Sequence, residues 1–128
     1  MNRQELKDFI LTHYNAASDF PWVRYPSYEV FRHPSNQKWF ALLAEISASR
    51  LYPGSSASEP LITVLNVKCD PVLSGSFRSQ PGIHPAYHMN KDKWITIETA
   101  KVPEETIKLL IEMSFDATAP KVKRPRPG

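Results

Sequence analysis

The side chains of this sequence that could do chemistry are few and widely spaced. Cys69 is the single cysteine, so it can form neither an internal disulfide nor a cysteine-rich metal site. Paired with a histidine it would be a thiol nucleophile. It follows an apolar run, however, where a buried and inert thiol is the expectation. His84 and His88 have the i, i+4 spacing of a metal pair on a helix. Pro85 disfavours that helix, and on a strand the two would share a face roughly 13 Å apart, too far to hold one ion. Glu104-Glu105 is better explained as charge at a helix start than as an acid/base pair. The sequence has no Gly-rich phosphate-cradling loop, its glycines numbering only 4, and Gly54-Ser55-Ser56 reads as loop, not as a nucleophile elbow. The expectation is a non-enzymatic protein with no metal and no cofactor.

What does recur is aromatic side chains interleaved with cationic and amide groups: Trp39, Asn66, Lys68, His88 and Trp94, with Lys38, Asn90 and Lys91 beside them. Such a set can stack on bases or sugars while its cations hold phosphate, provided that the fold brings it to one surface. The elements that would do so are set by the hydrophobic pattern.

Leu6, Phe9, Ile10, His13 and Tyr14 fall on one helical stripe over residues 3–14, and Asn2 with Glu5 resembles a capping box. Residues 16–26 contain two prolines and read as a loop. Residues 27–32 and 38–46 are strand candidates joined by the turn chemistry of residues 33–37. After a Ser-rich loop at residues 51–60, residues 61–68 form a β-branched strand. Asp70-Pro71 is an N-cap with proline at the first helical position, opening a short helix to about Ser79. Residues 83–89 and 94–99 flank Asn90-Lys91-Asp92-Lys93 as a second hairpin. Pro103-Glu104-Glu105 opens a last helix whose stripe is Ile107, Leu110, Ile111, Ser114 and Phe115. This order predicts an α+β fold, an antiparallel sheet with the N- and C-terminal helices packed on one face.

Strand alternation then assigns faces. With Phe40, Leu42, Ala44 and Ile46 toward the helices, Trp39, Ala41 and Leu43 point away. With Leu65, Val67, Ile95 and Ile97 inward, Asn66, Lys68, Trp94, Thr96 and Glu98 point away, joined by His84, Ala86 and His88. The open face would carry Trp39, Asn66, Lys68, His88 and Trp94. The alternative is that the tryptophans complete a second small core, or are covered by the loops around Tyr25 and Tyr52.

The chain is 128 residues long, 41% of them hydrophobic, enough for one domain with a single core. No apolar run approaches the roughly 20 residues of a membrane span, and residues 1–5 lack a signal-peptide pattern. A soluble, cytoplasmic monomer is expected. Its 16 basic and 13 acidic residues give a net charge of +3. Residues 119–128 hold Lys121, Lys123, Arg124 and Arg126 and no acid, so residues 1–118 carry 12 bases against 13 acids, a net of −1. The basicity belongs to a proline-rich tail, expected to be disordered and able to grip an anionic surface by charge alone.

Several stretches together resemble the MmcQ/YjbR family. They are Tyr28-Glu29-Val30-Phe31-Arg32-His33-Pro34, Lys38-Trp39-Phe40-Ala41-Leu42 and Leu65-Asn66-Val67-Lys68-Cys69-Asp70-Pro71. Pro81-Gly82-Ile83, Tyr87-His88-Met89-Asn90-Lys91-x-x-Trp94 and Val102-Pro103-Glu104-Glu105 complete the set. The resemblance runs in order from about residue 4 to 117, and its most specific element is His-Met-Asn-Lys-x-x-Trp. The loop at residues 53–60 and the tail depart from it. The resemblance implies a fold like that of the frataxin homologue CyaY and, through likeness to a "double wing" domain whose concave sheet meets the duplex, binding of DNA. The residues it nominates are Lys68, His88, Asn90, Lys91 and Trp94, with Lys38 and Trp39 from the first hairpin. Lys68 and Lys91 would contact phosphate, Asn90 would reach a base edge or shape its turn, and Trp94 would stack or pack. The iron-binding role of frataxins does not transfer, since Glu5 and Asp8 are offset by Arg3 and Lys7.

The leading expectation is therefore a DNA-binding domain using the open sheet face and its basic turns. The alternative is a module that buries part of a protein or small-ligand partner on the same tryptophan-containing face. A further reading, an enzyme using His88 with Lys68, requires a pocket uniting them.

Overall fold

The computed structural model describes residues 1–52, 54 and 60–120. Helix α1, Arg3–Tyr14, starts with the expected capping box: Asn2 Oδ1 accepts the Glu5 N–H at 2.8 Å, and Glu5 Oε1 accepts the Asn2 N–H at 3.1 Å. It ends at Asn15 in the left-handed conformation, φ 52°. Strands β1 (Ala17–Asp19), β2 (Glu29–Arg32), β3 (Trp39–Ser47) and β4 (Leu61–Lys68) come next, with a 3-10 turn at Ala48–Arg50. Then come α2 (Pro71–Arg78), β5 (Ile83–Pro85), β6 (Trp94–Glu98) and α3 (Glu104–Thr118). The six strands form one sheet in the order β1-β2-β3-β4-β6-β5, and every neighbouring pair is antiparallel. The fold is α+β, with α1 and α3 on one face. Among the described residues no helix is long and apolar enough to cross a membrane.

Asp70 caps α2 as its type predicts, its carboxylate accepting the Val72 N–H at 2.8 Å, and Pro71 occupies the first turn, where a missing N–H costs nothing. Two strand expectations change. The segment read as a loop at residues 16–26 contains the edge strand β1, held to β2 by a two-pronged Arg32–Asp19 pair at 2.9 and 3.2 Å. The strand expected over residues 83–89 ends at Pro85, which has no N–H to extend a ladder, and His88 takes a φ of 66° that no strand tolerates.

The larger correction concerns β3. Phe31 pairs with Ala41 and Arg32 with Trp39, so Phe40 is an extra residue in the ladder. A bulge of this kind reverses the inward–outward parity of the remaining strand residues. Phe40 and Ala41 both face the helices, and Leu43 with them, while Leu42, Ala44 and Ile46 point to the opposite face together with Trp39. The helix-side core joins these to Leu6, Ile10, Phe31, Leu65, Val67, Ile95, Ile97, Ile107, Leu110 and Ile111. The opposite face is also a core: Tyr28, Val30, Leu42, Ala44, Ile46 and Val64 are buried there, beneath half-buried Trp22, Trp39, Leu51, Tyr87 and Met89. The sheet face expected to be open is largely covered.

Candidate functional site

What covers that face is held by a buried polar network. Asn66 and Thr96 are neighbours across β4 and β6 and wholly buried. Thr96 Oγ1 donates to Asn66 Oδ1 at 2.6 Å and accepts the Tyr87 N–H at 2.8 Å, and Asn66 Nδ2 donates to the Tyr87 carbonyl at 2.6 Å. Residues 86–89 leave the sheet edge after Pro85 and are fastened across the face by these bonds, each made in surroundings where an unmade one is costly. Asn66, expected to be presented outward, is thereby removed from any ligand.

The other expected residues gather at one end of the sheet. Lys68 and Trp94 are register partners on β4 and β6, and Trp39 lies at the matching end of β3. Alternation sets all three on the face away from the helices, in the order Trp39, Lys68, Trp94. Each is partly exposed. Trp39 meets Trp22 edge-on at 5.3 Å between centroids and carries the Arg32 guanidinium over its ring at 5.5 Å. Exposed Lys38 precedes it in the turn of residues 33–38. That turn is braced against α3, with His33 stacked on Phe115 at 4.0 Å and Asn36 Nδ2 donating to the Thr118 carbonyl at 2.8 Å.

Asn90 serves its own turn: its Oδ1 accepts the Asp92 N–H at 2.8 Å and its carbonyl accepts the Trp94 N–H at 2.9 Å. Lys91 is exposed, with its carbonyl bound by the Arg78 guanidinium at 2.5 Å. His88 stands apart from the strand-end row, ringed edge-on by Trp22, Tyr25 and Tyr28 at 5.2, 5.3 and 5.5 Å. It lines a cavity with His84 and Lys91, but Lys68 is not in that lining. The pocket needed for a His88–Lys68 enzyme is thus not formed by these two residues. Lys121, Lys123, Arg124 and Arg126 lie outside the described residues, as does most of the Ser-rich loop.

The helix-side fastenings matter here as well. Lys68 N–H donates to Ser114 Oγ at 2.8 Å, and Ser114 Oγ donates to the Phe40 carbonyl at 2.5 Å. Ser114 of α3 therefore satisfies two backbone groups just beyond the end of the β3–β4 pairing. Cys69 is buried, and burial pushes its thiol up. Among the described residues no three His, Cys, Asp or Glu side chains converge as a metal site.

A cluster that sequence reasoning missed lies toward the other sheet edge. The carboxylate of Glu98, 4% exposed, is bonded by the Tyr52 hydroxyl and stands 2.5 Å from His84 Nε2 and 3.4 Å from Lys101 Nζ. Burial by itself pushes this carboxyl up. The hydrogen bonds from Tyr52 and His84, with the Lys101 charge, outweigh it and hold Glu98 below the ordinary glutamate value. The signal available in the sequence was an acid inside an otherwise apolar strand; its partners come from 14 and 46 residues away.

A six-stranded antiparallel sheet with terminal helices on one face, and a His-Met-Asn-Lys-x-x-Trp turn leading into its fifth sheet position, define a small α+β family. The YjbR family model matches residues 11–117, and the chain belongs to that family. It is 35% identical over 119 residues to the uncharacterized protein YyaQ of Bacillus subtilis (strain 168), an alignment covering 92% of this chain and 98% of that one. It is also similar to a crystal structure of a Pseudomonas syringae protein, with a TM-score of 0.85, 42% identity, and coverage of 93% of this chain and 100% of the other. Protein DR2400 of Deinococcus radiodurans shares the fold at a TM-score of 0.61 and 24% identity, over 85% of this chain and 75% of that one.

Proposed function

We propose that this YjbR-family protein is a non-enzymatic DNA-binding module. It contacts DNA with the strand-end row Trp39, Lys68 and Trp94 and with the basic turns that carry Lys38 and Lys91. The observation that carries the reading is that row: a lysine between two partly exposed tryptophans on adjacent strands, with no carboxylate among the described residues paired to it. Lysine supplies phosphate contact, and the indoles supply sequence-tolerant stacking.

The distribution of charge supports the same reading. Helices α1 and α3 hold six acids (Glu5, Asp8, Glu104, Glu105, Glu112, Asp116) against three bases (Arg3, Lys7, Lys108). The remaining seven acids and nine bases of residues 1–118 make the rest of the body net positive. A near-neutral domain is in this way polarised, with its acids on the layer away from the proposed contact. Asn90 acts as a turn former that sets the direction of Lys91, and the basic tail adds affinity without sequence preference.

The test is fluorescence anisotropy of labelled duplex and single-stranded DNA over a salt series. The full chain is compared with a Lys68→Ala variant and with one whose four tail cations are alanine. Lys68→Ala should weaken binding and lower the salt slope by about 1, the share of one phosphate contact. If only the tail variant loses affinity, the sheet row is not the contact surface. If the wild-type chain fails to bind at low salt, the module is not a DNA-binding one.

A further inference from the structure

A cavity of about 200 Å³ opens between the 3-10 turn Ala48–Arg50 and the segment after β5. Its wall contains four side chains that are cationic or become so on protonation: Arg50, His84, His88 and Lys91. Leu51 and Tyr87 are among the rest of the lining, and among the described residues no carboxylate belongs to it. Among the described residues His84 alone of the four has a carboxylate partner, Glu98. His84, His88 and Lys91 come from β5 and the segment after it, and the tertiary fold brings Arg50 of the 3-10 turn to them. Arg50 and Lys91 bring two cations to one void, where an entering anion offsets their repulsion.

Two of them are fixed before any ligand arrives. His88 has a φ of 66°, uncommon for a residue with a Cβ, and its imidazole is packed edge-on among the rings of Trp22, Tyr25 and Tyr28. His84 has its Nε2 held by the buried Glu98 carboxylate, which is itself bonded by Tyr52. That arrangement orients the imidazole and leaves Nδ1 as the nitrogen not engaged by Glu98. Arg50 and Lys91 are exposed at the rim and free to close on a ligand.

We propose that this cavity is a binding site for a phosphomonoester group. A guanidinium fork, an ammonium and two imidazoles match a dianion with several acceptor oxygens better than a single carboxylate. The volume is below the roughly 300–1,000 Å³ of pockets that enclose a whole drug-sized ligand. It suits a phosphate and the first part of whatever carries it. The proposal does not rest on the DNA-binding reading, which concerns phosphodiesters along the row through Lys68 and shares only Lys91 with this site.

The test titrates the full chain with inorganic phosphate, with adenosine 5′-monophosphate and with adenosine, tracking the ring resonances of His84 and His88. Saturable shifts with both phosphates and none with adenosine are expected. Arg50→Ala and Lys91→Ala, both exposed positions, should each weaken binding about tenfold, whereas Lys68→Ala should leave it unchanged. His88→Asn, which retains tolerance for the left-handed backbone, tests the imidazole without unfolding the turn. A short oligonucleotide with a 5′-phosphate that binds tighter than the nucleotide would assign the site to nucleic-acid ends; equal binding would assign it to a free small molecule, and both uphold it. No saturable shift up to about 10 mM, equal response to adenosine, or binding indifferent to both Arg50→Ala and Lys91→Ala overturns it. Loss of duplex binding in Lys68→Ala with this site intact would separate the two surfaces.

Discussion

Ser114 Oγ sits 2.8 Å from the backbone nitrogen of Lys68, so a hydroxyl on the last helix completes the hydrogen bonding of a strand residue on the candidate contact surface. The same oxygen donates to the Phe40 carbonyl at 2.5 Å. The β3–β4 pairing ends at Ala41–Val67, and just beyond it α3 takes up the Phe40 carbonyl and the Lys68 N–H. The pose of the row Trp39, Lys68, Trp94 is therefore tied to helix packing on the opposite face of the sheet.

Ser114→Ala should destabilise the fold by about 2–4 kcal/mol, since it leaves a buried N–H and a buried carbonyl without partners at about 1–3 kcal/mol each. Chemical denaturation measures the loss. Amide exchange at Lys68 should accelerate more than exchange at Leu65; equal acceleration would show that the hydroxyl does not hold this end of β4 locally.

Glu98 predicts a pH dependence. Its folded value is held below the ordinary glutamate range, so the carboxylate contributes stability above the unfolded-state value, and that contribution is lost as pH falls through the folded one. Denaturation midpoints measured from neutral pH down to strongly acidic solution should fall through this window. Glu98→Gln should flatten that acid limb; an unchanged limb would assign acid sensitivity to other carboxylates.

Glu29 is 1% exposed and faces α1, with Lys7 Nζ at 2.8 Å and Arg3 at 3.7 Å. Lys7→Ala should cost about 2 kcal/mol. That is below the roughly 3–5 kcal/mol of a fully buried pair, because Lys7 is partly exposed and Arg3 remains as a second cation. Pairing Lys7→Met with Glu29→Leu should restore much of the loss. Thermal unfolding of both variants gives the comparison, and a double variant no better than Lys7→Ala would mean that the charge pair specifies the docking of α1.

Gly82 has a φ of 86°, and its carbonyl accepts the Glu98 N–H at 2.8 Å. A Cβ placed there would stand 2.9 Å from both Lys101 Cβ and Val102 Cγ2. Gly82→Ala should cost at least about 2 kcal/mol through backbone strain and overpacking together. Urea denaturation checks it, and a loss under half of this would mean that the β6–α3 connection yields easily.

Where local rules suffice, sequence and structure agree. The capping box at Asn2, the Asp70-Pro71 helix start, the bounds of β4 and the apolar stripe of α3 all depend on side chains acting within a few residues of themselves. The alternation of β4 and β6 was legible too, because those strands pair without irregularity, and it correctly set Lys68, Trp94 and Glu98 on the face away from the helices. Alternation failed on β3. A single extra residue at Phe40 exchanges the faces of every later residue in that strand, and no local preference announces a bulge at a residue whose carbonyl is bonded by Ser114, 74 residues away.

The amino-acid sequence by itself determined the order of the elements apart from the edge strand β1, the α+β class and the family, since each is carried by contiguous patterns. The tertiary structure alone decided that the second sheet face is a core, that Asn66 is buried holding Tyr87, and that Arg50, His84, His88 and Lys91 share one cavity. Each brings together segments far apart in the chain, Asn66 with Tyr87 and Arg50 with the residues after β5. They are set by where a strand ends at Pro85 and where the chain turns at His88, and spacing along the sequence carries no distance across a fold.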